Sequence, residues 1–171
     1  CFEEDAQEAS ASCQTVSIEG FYGNRNGVGK PEDKDVTILK FTGTNGKTLA
    51  AAVNISCHPT VLGADNLLVS GDLLGYISRG VQTRLGVYPV MMQGAAGDMS
   101  HRNYRQGHDA AELERTGNGI LAQLFAREEY HPLALGSPRV EQYRYRREYD
   151  IDQAEWEAKR AQVQAAMEAE A

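Results

Sequence analysis

The chain has 171 residues, enough for one ordinary domain with a sizeable core. With 42% hydrophobic and 24% charged residues it has the composition of a globular protein, and nothing in it is low-complexity or collagen-like. A net charge of -7 with no long basic run argues against general nucleic-acid binding, since the basic stretch around Arg144 is short and runs into acidic residues. No apolar run reaches the length of a membrane span, and the acidic start CFEEDAQEAS is unlike a signal peptide. Cys1, Cys13 and Cys57 are odd in number and lack paired metal-type spacing, so no disulfide framework is expected. Cys1 is a formal N-terminal nucleophile, but its place at the first residue reads as an accident of where the chain begins.

In chain order, the first twenty residues are Ala-rich and predict the end of a helix. The Gly/Asn-rich stretch GFYGNRNGVGKPEDKD predicts an irregular loop. VTILKF and LAAAVNIS then predict two strands around Asn45-Gly46, a pair suited to a two-residue type I′ hairpin turn. The same region, Gly43 to Thr48, resembles the nucleotide loop of Mur-type peptide ligases, which would make the protein an ATP-dependent ligase. A phosphate loop must run into a helix. Here β-branched Val53 and Ile55 and then Pro59 follow, which favours the strand.

HPTVLGADNLLVSGD predicts a long loop, the kind of segment that carries function on a rigid sheet. Asp72 is a candidate N-cap for a helix with Leu74, Ile77, Val81 and Leu85 on one face and Gly86 as its stop. VYPVMMQ predicts a buried strand leading into the small-residue loop GAAGDMSHRN, an arrangement by which α/β sheets build sites at strand ends. Asp109 and Glu112 form a candidate capping box before a helix bearing Leu113, Gly117, Ile120, Leu121 and Leu124. Asp152 and Glu155 repeat that pattern before a last helix with Trp156, Val163 and Met167.

Four segments bear candidate chemistry. His58, at a strand end before Pro59, suits a metal ligand or general base, or a hydrogen-bonded structural role. Ser100 lies beyond a Gly-rich turn whose N–H groups suit an oxyanion, or is simply a turn serine. Arg25 is an anion contact or a surface arginine, and Asp98 a cap or an orienting partner. His101, beside Arg102, is a local base or ligand in one reading; its expected place is the surface.

In this order, the segments NR, an acidic residue before VTILKF, NISCHPT, NLLVSGDLLGYIS and GAAGDMS resemble the N-terminal catalytic domain of the neutral, non-lysosomal ceramidase family, from about Gly20 to about Phe125. The resemblance implies an α/β fold, a mixed β-sheet core with flanking helices, within a larger layered catalytic domain. It implies a zinc-dependent amidase that cleaves an N-acyl amide such as ceramide. His58 matches a zinc ligand of that family, Ser100 its catalytic serine, and Arg25 an arginine that stabilises charge on the reacting carbonyl. Asn24, Asp72, Gly97 and Asp98 match motif positions for substrate, oxyanion or supporting roles.

Two departures qualify this. No histidine precedes Asn24, where the family has a His-x-His ligand motif, and His101-Arg102 replaces a Pro-Asn pair. One histidine cannot hold a tetrahedral zinc. The chain is therefore expected to be an internal piece of a larger enzyme, whose missing ligands come from another segment or chain, or else a metal-free relative with a binding role. The family implies a secreted, periplasmic or cell-surface protein and a lipid or small acyl-amide substrate.

Overall fold

A computed structural model describes residues 6–27, 29–134, 136, 141–144 and 152–169. Cys1 and much of the basic stretch after Arg144 lie outside them. The chain divides into two units, Cys1–Gly136 and Ser137–Ala171.

The first unit is built on a five-stranded sheet. Its strands are β1 (Ala9–Ser17), β3 (Asp35–Gly43), β4 (Thr48–Ile55), β5 (Val90–Gln93) and β7 (His131–Leu133), in the order β5-β4-β3-β1-β7. All neighbours are antiparallel except β4 and β5, which run parallel. Between them the chain crosses over through helix α1 (Asp72–Leu85). A two-stranded ribbon, β2 (Gly23–Asn24) with β6 (Met99–Ser100), sits beside the sheet, and helix α2 (Ala110–Leu124) completes the unit. This is the expected mixed sheet with flanking helices.

Period-two alternation on β3 and β4 turns Val36, Ile38, Val53 and Ile55 to one face, where all four are fully buried. Leu73, Ile77 and Val81 of α1 and Leu113, Ile120 and Leu124 of α2 complete one core with them. Burying side chains of this size stabilises the fold by about 1.5–3 kcal/mol each. α1 ends at Gly86, whose φ of 79° lets its N–H close onto the Gln82 carbonyl.

Several sequence expectations are corrected. The Ala-rich start is strand β1, because Gln14, Val16 and Ile18 alternate toward the core between two pairing partners, and tertiary pairing outweighs helix propensity. Gln14 Nε2 donates to the Leu124 carbonyl at 2.6 Å, satisfying the end of α2. The β3–β4 hairpin forms as expected, but its turn is longer than the expected type I′. Gly46 N–H bonds Gly43 O and Gly43 N–H bonds Lys47 O, both at 2.9 Å, and Gly46 has φ of 77° while Asn45 is not left-handed. That is a type I turn closed by a glycine bulge, with Asn45 Oδ1 accepting from Lys47 N–H at 3.0 Å. Because β4 follows Lys47 directly, the helix that a phosphate loop requires is not there.

VYPVMMQ contributes an edge strand rather than a buried one, so Val90 is 66% exposed. Asp109 caps α2 by accepting from Glu112 N–H at 2.9 Å, but Glu112 turns away to Arg115 and Thr116, leaving half of the expected box. The second unit contains helix α3 (Gln153–Ala169), capped by Asp152, whose carboxylate accepts from Ala154 and Glu155 N–H groups. None of its residues is buried. Among the described residues no helix is long and apolar enough to cross a membrane.

Candidate active site at the strand ends

Parallel strands β4 and β5 end side by side, with Ile55 opposite Gln93, and each runs into a candidate segment. The two are tied together by Gly94 N–H to the Ile55 carbonyl (3.0 Å) and by Gln93 Nε2 to the Cys57 carbonyl (3.1 Å). His58 N–H then reaches the Met99 carbonyl at 3.3 Å, which sets the His58 segment against β6. Because β6 pairs with β2, Gly23 opposite Ser100, the Asn24-Arg25 segment arrives at the same end of the sheet. Three sequence-distant segments thus converge where open α/β sheets place ligands.

A pocket of about 370 Å3 opens there, lined by Arg25, His58, Thr60, Ser100, His101, Arg102 and Arg105. Of the sequence candidates it brings together Arg25, His58 and Ser100. It does not bring in Asn24, Asp72, Gly97 or Asp98. A larger groove beside β1, about 650 Å3, is lined by none of these residues.

Asn24 is buried and wholly occupied with architecture. Its Nδ2 donates to Asp98 Oδ2 at 2.7 Å and to the Pro31 carbonyl at 2.8 Å, its Oδ1 accepts from Asn26 N–H, and its carbonyl accepts from Asn103. Asp98 also accepts, through its carbonyl, from Arg25 N–H at 2.8 Å. Asn24 and Asp98 therefore clamp the backbone from which Arg25 projects. Asp72 is the first residue of α1, with Gly71 as the N-cap, so it is not the cap that the sequence suggested. Its carboxylate accepts from Val61 and Leu62 N–H at 3.0 Å each and from Leu73 N–H at 2.6 Å. That ties the loop after His58 to α1, and it holds Asp72 at φ of 47°, a conformation unfavourable for a side-chain-bearing residue. Gly97 is exposed, and a Cβ there would meet nothing within 4 Å.

Ser100 is buried, and its oxygen accepts from Arg102 N–H at 3.1 Å. That bond uses a lone pair and leaves the hydroxyl proton available. Cys57, the buried thiol preceding His58, is pushed up to about 12 by its burial and is inert as a nucleophile near neutral pH.

His101 corrects the sequence expectation most clearly. It is fully buried rather than at the surface, and neither ring nitrogen makes a hydrogen bond of full geometry among the described residues, although the His58 backbone stands close enough to favour the charged ring. The tight turn after β6, with Tyr104 and Arg105 N–H groups both bonded to the His101 carbonyl, folds the side chain inward. Burial lowers its pKa most and nearby Arg105 acts in the same direction, outweighing the opposite pull of Asp72, the His58 backbone and Glu112. Nothing in the local pattern SHRN announces this, since it depends on which way a loop turns.

The donor set does not fit a zinc held by these residues alone. Among the described residues His58 and His101 are the only ligand-type side chains in the wall, which they share with Arg25, Arg102 and Arg105, and no group of three His, Cys, Asp or Glu is placed to hold a metal.

No family model and no curated protein matches the chain. Solved structures do. A neutral ceramidase from Pseudomonas aeruginosa and a ceramidase structure described as complexed with C2 each superpose with a TM-score of 0.59 at 18% identity over 72% of this chain. The chain spans 24% and 23% of those two chains, respectively. In its fold the chain is a neutral ceramidase-like segment.

Proposed function

We propose that this chain supplies one wall of the active site of a ceramidase-like hydrolase that cleaves an N-acyl amide. The observation supporting this reading is the convergence of Arg25, His58 and Ser100 on one strand-end pocket, within a fold shared with neutral ceramidase. Arg25 would stand by the acyl carbonyl and stabilise the negative charge that develops on its oxygen, a contribution worth roughly 10²–10³ in rate for such donors. Ser100 would present its hydroxyl to the carbonyl carbon or to an attacking water, with Arg102 N–H fixing the oxygen. Asn24 and Asp98 would hold Arg25, and Asp72 would hold the His58 loop.

Zinc belongs to this proposal only with donors from outside the described residues, from another segment or another chain. His58 would then be one ligand. When bound, such an ion polarises carbonyls and acidifies water. The test is metal content and hydrolysis of short-chain N-acyl amides, a ceramide and an acidic N-acyl amine among them, by the longest gene product that contains this chain. Stoichiometric zinc that is lost with activity in His58→Ala supports the reading, and a protein that hydrolyses no acyl amide overturns it.

A second reading is favoured by the incomplete donor set: a module that keeps the fold and binds a ligand without turnover. It predicts saturable ligand binding with neither zinc nor product.

A further inference from the structure

We propose that the strand-end pocket binds an oxyanion, so that the molecule it serves carries a carboxylate or phosphate group rather than an uncharged headgroup. That this molecule is a substrate rests on the proposed function; that it binds does not.

The protein is acidic, with 24 Asp and Glu against 17 Lys and Arg, yet the pocket wall holds three arginines, two histidines and no carboxylate. Lone exposed cations such as Lys30, Lys47 and Arg127 are scattered singly over the surface; where cations sit close to other charged groups they are neutralised, and the pocket differs in gathering three on one wall without a carboxylate. Arg84 meets Glu128 at 2.9 Å, Arg115 meets Glu112 at 2.7 Å, and Lys34 meets both Glu19 and Glu32. Among the described residues, the guanidinium groups of Arg25, Arg102 and Arg105 have no such partner. Their backbones are engaged instead, through Arg25 N–H to Asp98, Arg102 N–H to Ser100 and Arg105 N–H to His101. The nearby acids are occupied as well: Asp98 accepts from Asn24, and Asp72 accepts from Val61, Leu62 and Leu73. Three like charges on one concave wall repel each other, and an anion relieves that repulsion while accepting paired N–H bonds from the guanidinium fork.

His101 is the independent second sign. It lies in the same wall, fully buried, with no hydrogen bond of full geometry at either ring nitrogen among the described residues, the His58 backbone making only an imperfect approach. A buried donor without an acceptor is costly and uncommon in a settled core. An oxygen of a bound anion would accept from it. The pocket, about 370 Å3, admits a small acidic headgroup.

The experiment is calorimetric titration of the full chain at low salt with inorganic phosphate, with N-acetylglycine and with uncharged N-acetylethanolamine. The Arg102→Gln and Arg102→Gln/Arg105→Gln forms are titrated in parallel, with circular dichroism melts to verify folding. Saturable binding of phosphate or N-acetylglycine is expected, with Kd raised at least about tenfold in the double variant and little response to N-acetylethanolamine. Phosphate alone assigns a phosphoryl group, and N-acetylglycine alone or preferred assigns a carboxylate. Equal binding of the uncharged amide, anion binding unchanged in folded double variant, or no anion binding at all overturns the proposal. Since no turnover is measured, anion binding in a protein that hydrolyses nothing would leave this site standing and remove only the hydrolase reading.

Discussion

Two polar clusters lie close together in the chain around the loop after β6, and they are handled in opposite ways. At the start of α2, buried Glu112 receives both Nε and Nη2 of Arg115, at 2.8 and 2.7 Å, and the Thr116 hydroxyl at 3.1 Å, while Arg115 also donates to the Tyr104 carbonyl. That cluster is closed on itself. In the pocket wall, Arg25, Arg102 and Arg105 face no carboxylate partner among the described residues, and His101 is buried with no hydrogen bond of full geometry at its ring nitrogens. A satisfied, half-buried ion pair does architectural work, here fixing the Tyr104 carbonyl of the loop to α2. A wall that gathers three unpaired guanidinium groups and a buried imidazole is the opposite case, and the proposed anion would complete its bonding.

The comparison breaks most visibly at the closed cluster. Glu112→Ala leaves half-buried Arg115 and the buried Thr116 hydroxyl without their partner and is expected to lower unfolding stability by about 2 kcal/mol, measured by urea titration. The same carboxyl is held down to about 2, first by Arg115 and helped by Thr116 and a backbone N–H. A carboxylate depressed in the folded state contributes stability above its unfolded value near 4.5, and that contribution is lost as pH falls toward 2. Melting temperature should therefore drop across that window in the wild type, with a smaller drop in Glu112→Gln.

The open wall should answer with the other sign. His101→Leu removes two buried nitrogens that lack full hydrogen bonds and is expected to leave stability unchanged or raise it by about 1 kcal/mol, while weakening ligand binding. Arg102→Gln and Arg105→Gln, on exposed residues, should each move stability by less than about 0.5 kcal/mol. If His101→Leu instead costs as much as Glu112→Ala, the two clusters do not differ and the contrast fails.

How much of this the sequence reveals depends on the range of the interactions involved. The β3–β4 hairpin, α1 and α2 are legible because turn residues, periodic apolar faces and caps are local signals, as with Gly86 and Asp109. β1 is not, because Ala9–Ser17 is a strand by virtue of its pairing with residues 35–43 and 131–133. The exposure of β5 is likewise a matter of its edge position, which hydrophobicity alone does not report. In the site, Arg25, His58 and Ser100 were separable as candidates from residue type and setting, whereas their meeting in one pocket depends on the β2–β6 and β4–β5 pairings. The burial of His101 is not legible because it follows from a turn closed by tertiary contacts. For Asp72 and Asn24, which the resemblance offers for substrate, oxyanion or supporting roles, the hydrogen bonds run to the loops around them.

The most direct measurement is the rate of hydrolysis of a short-chain N-acyl amide by the longest gene product containing this chain, with Ser100→Ala and Arg25→Gln alongside the wild type. Loss of at least about 10²-fold in kcat for each, with KM shifted far less and folding intact, is the predicted result, because both groups would act on the reacting carbonyl. Wild-type turnover that persists unchanged in both variants would contradict the account and move the chemistry away from the strand-end pocket.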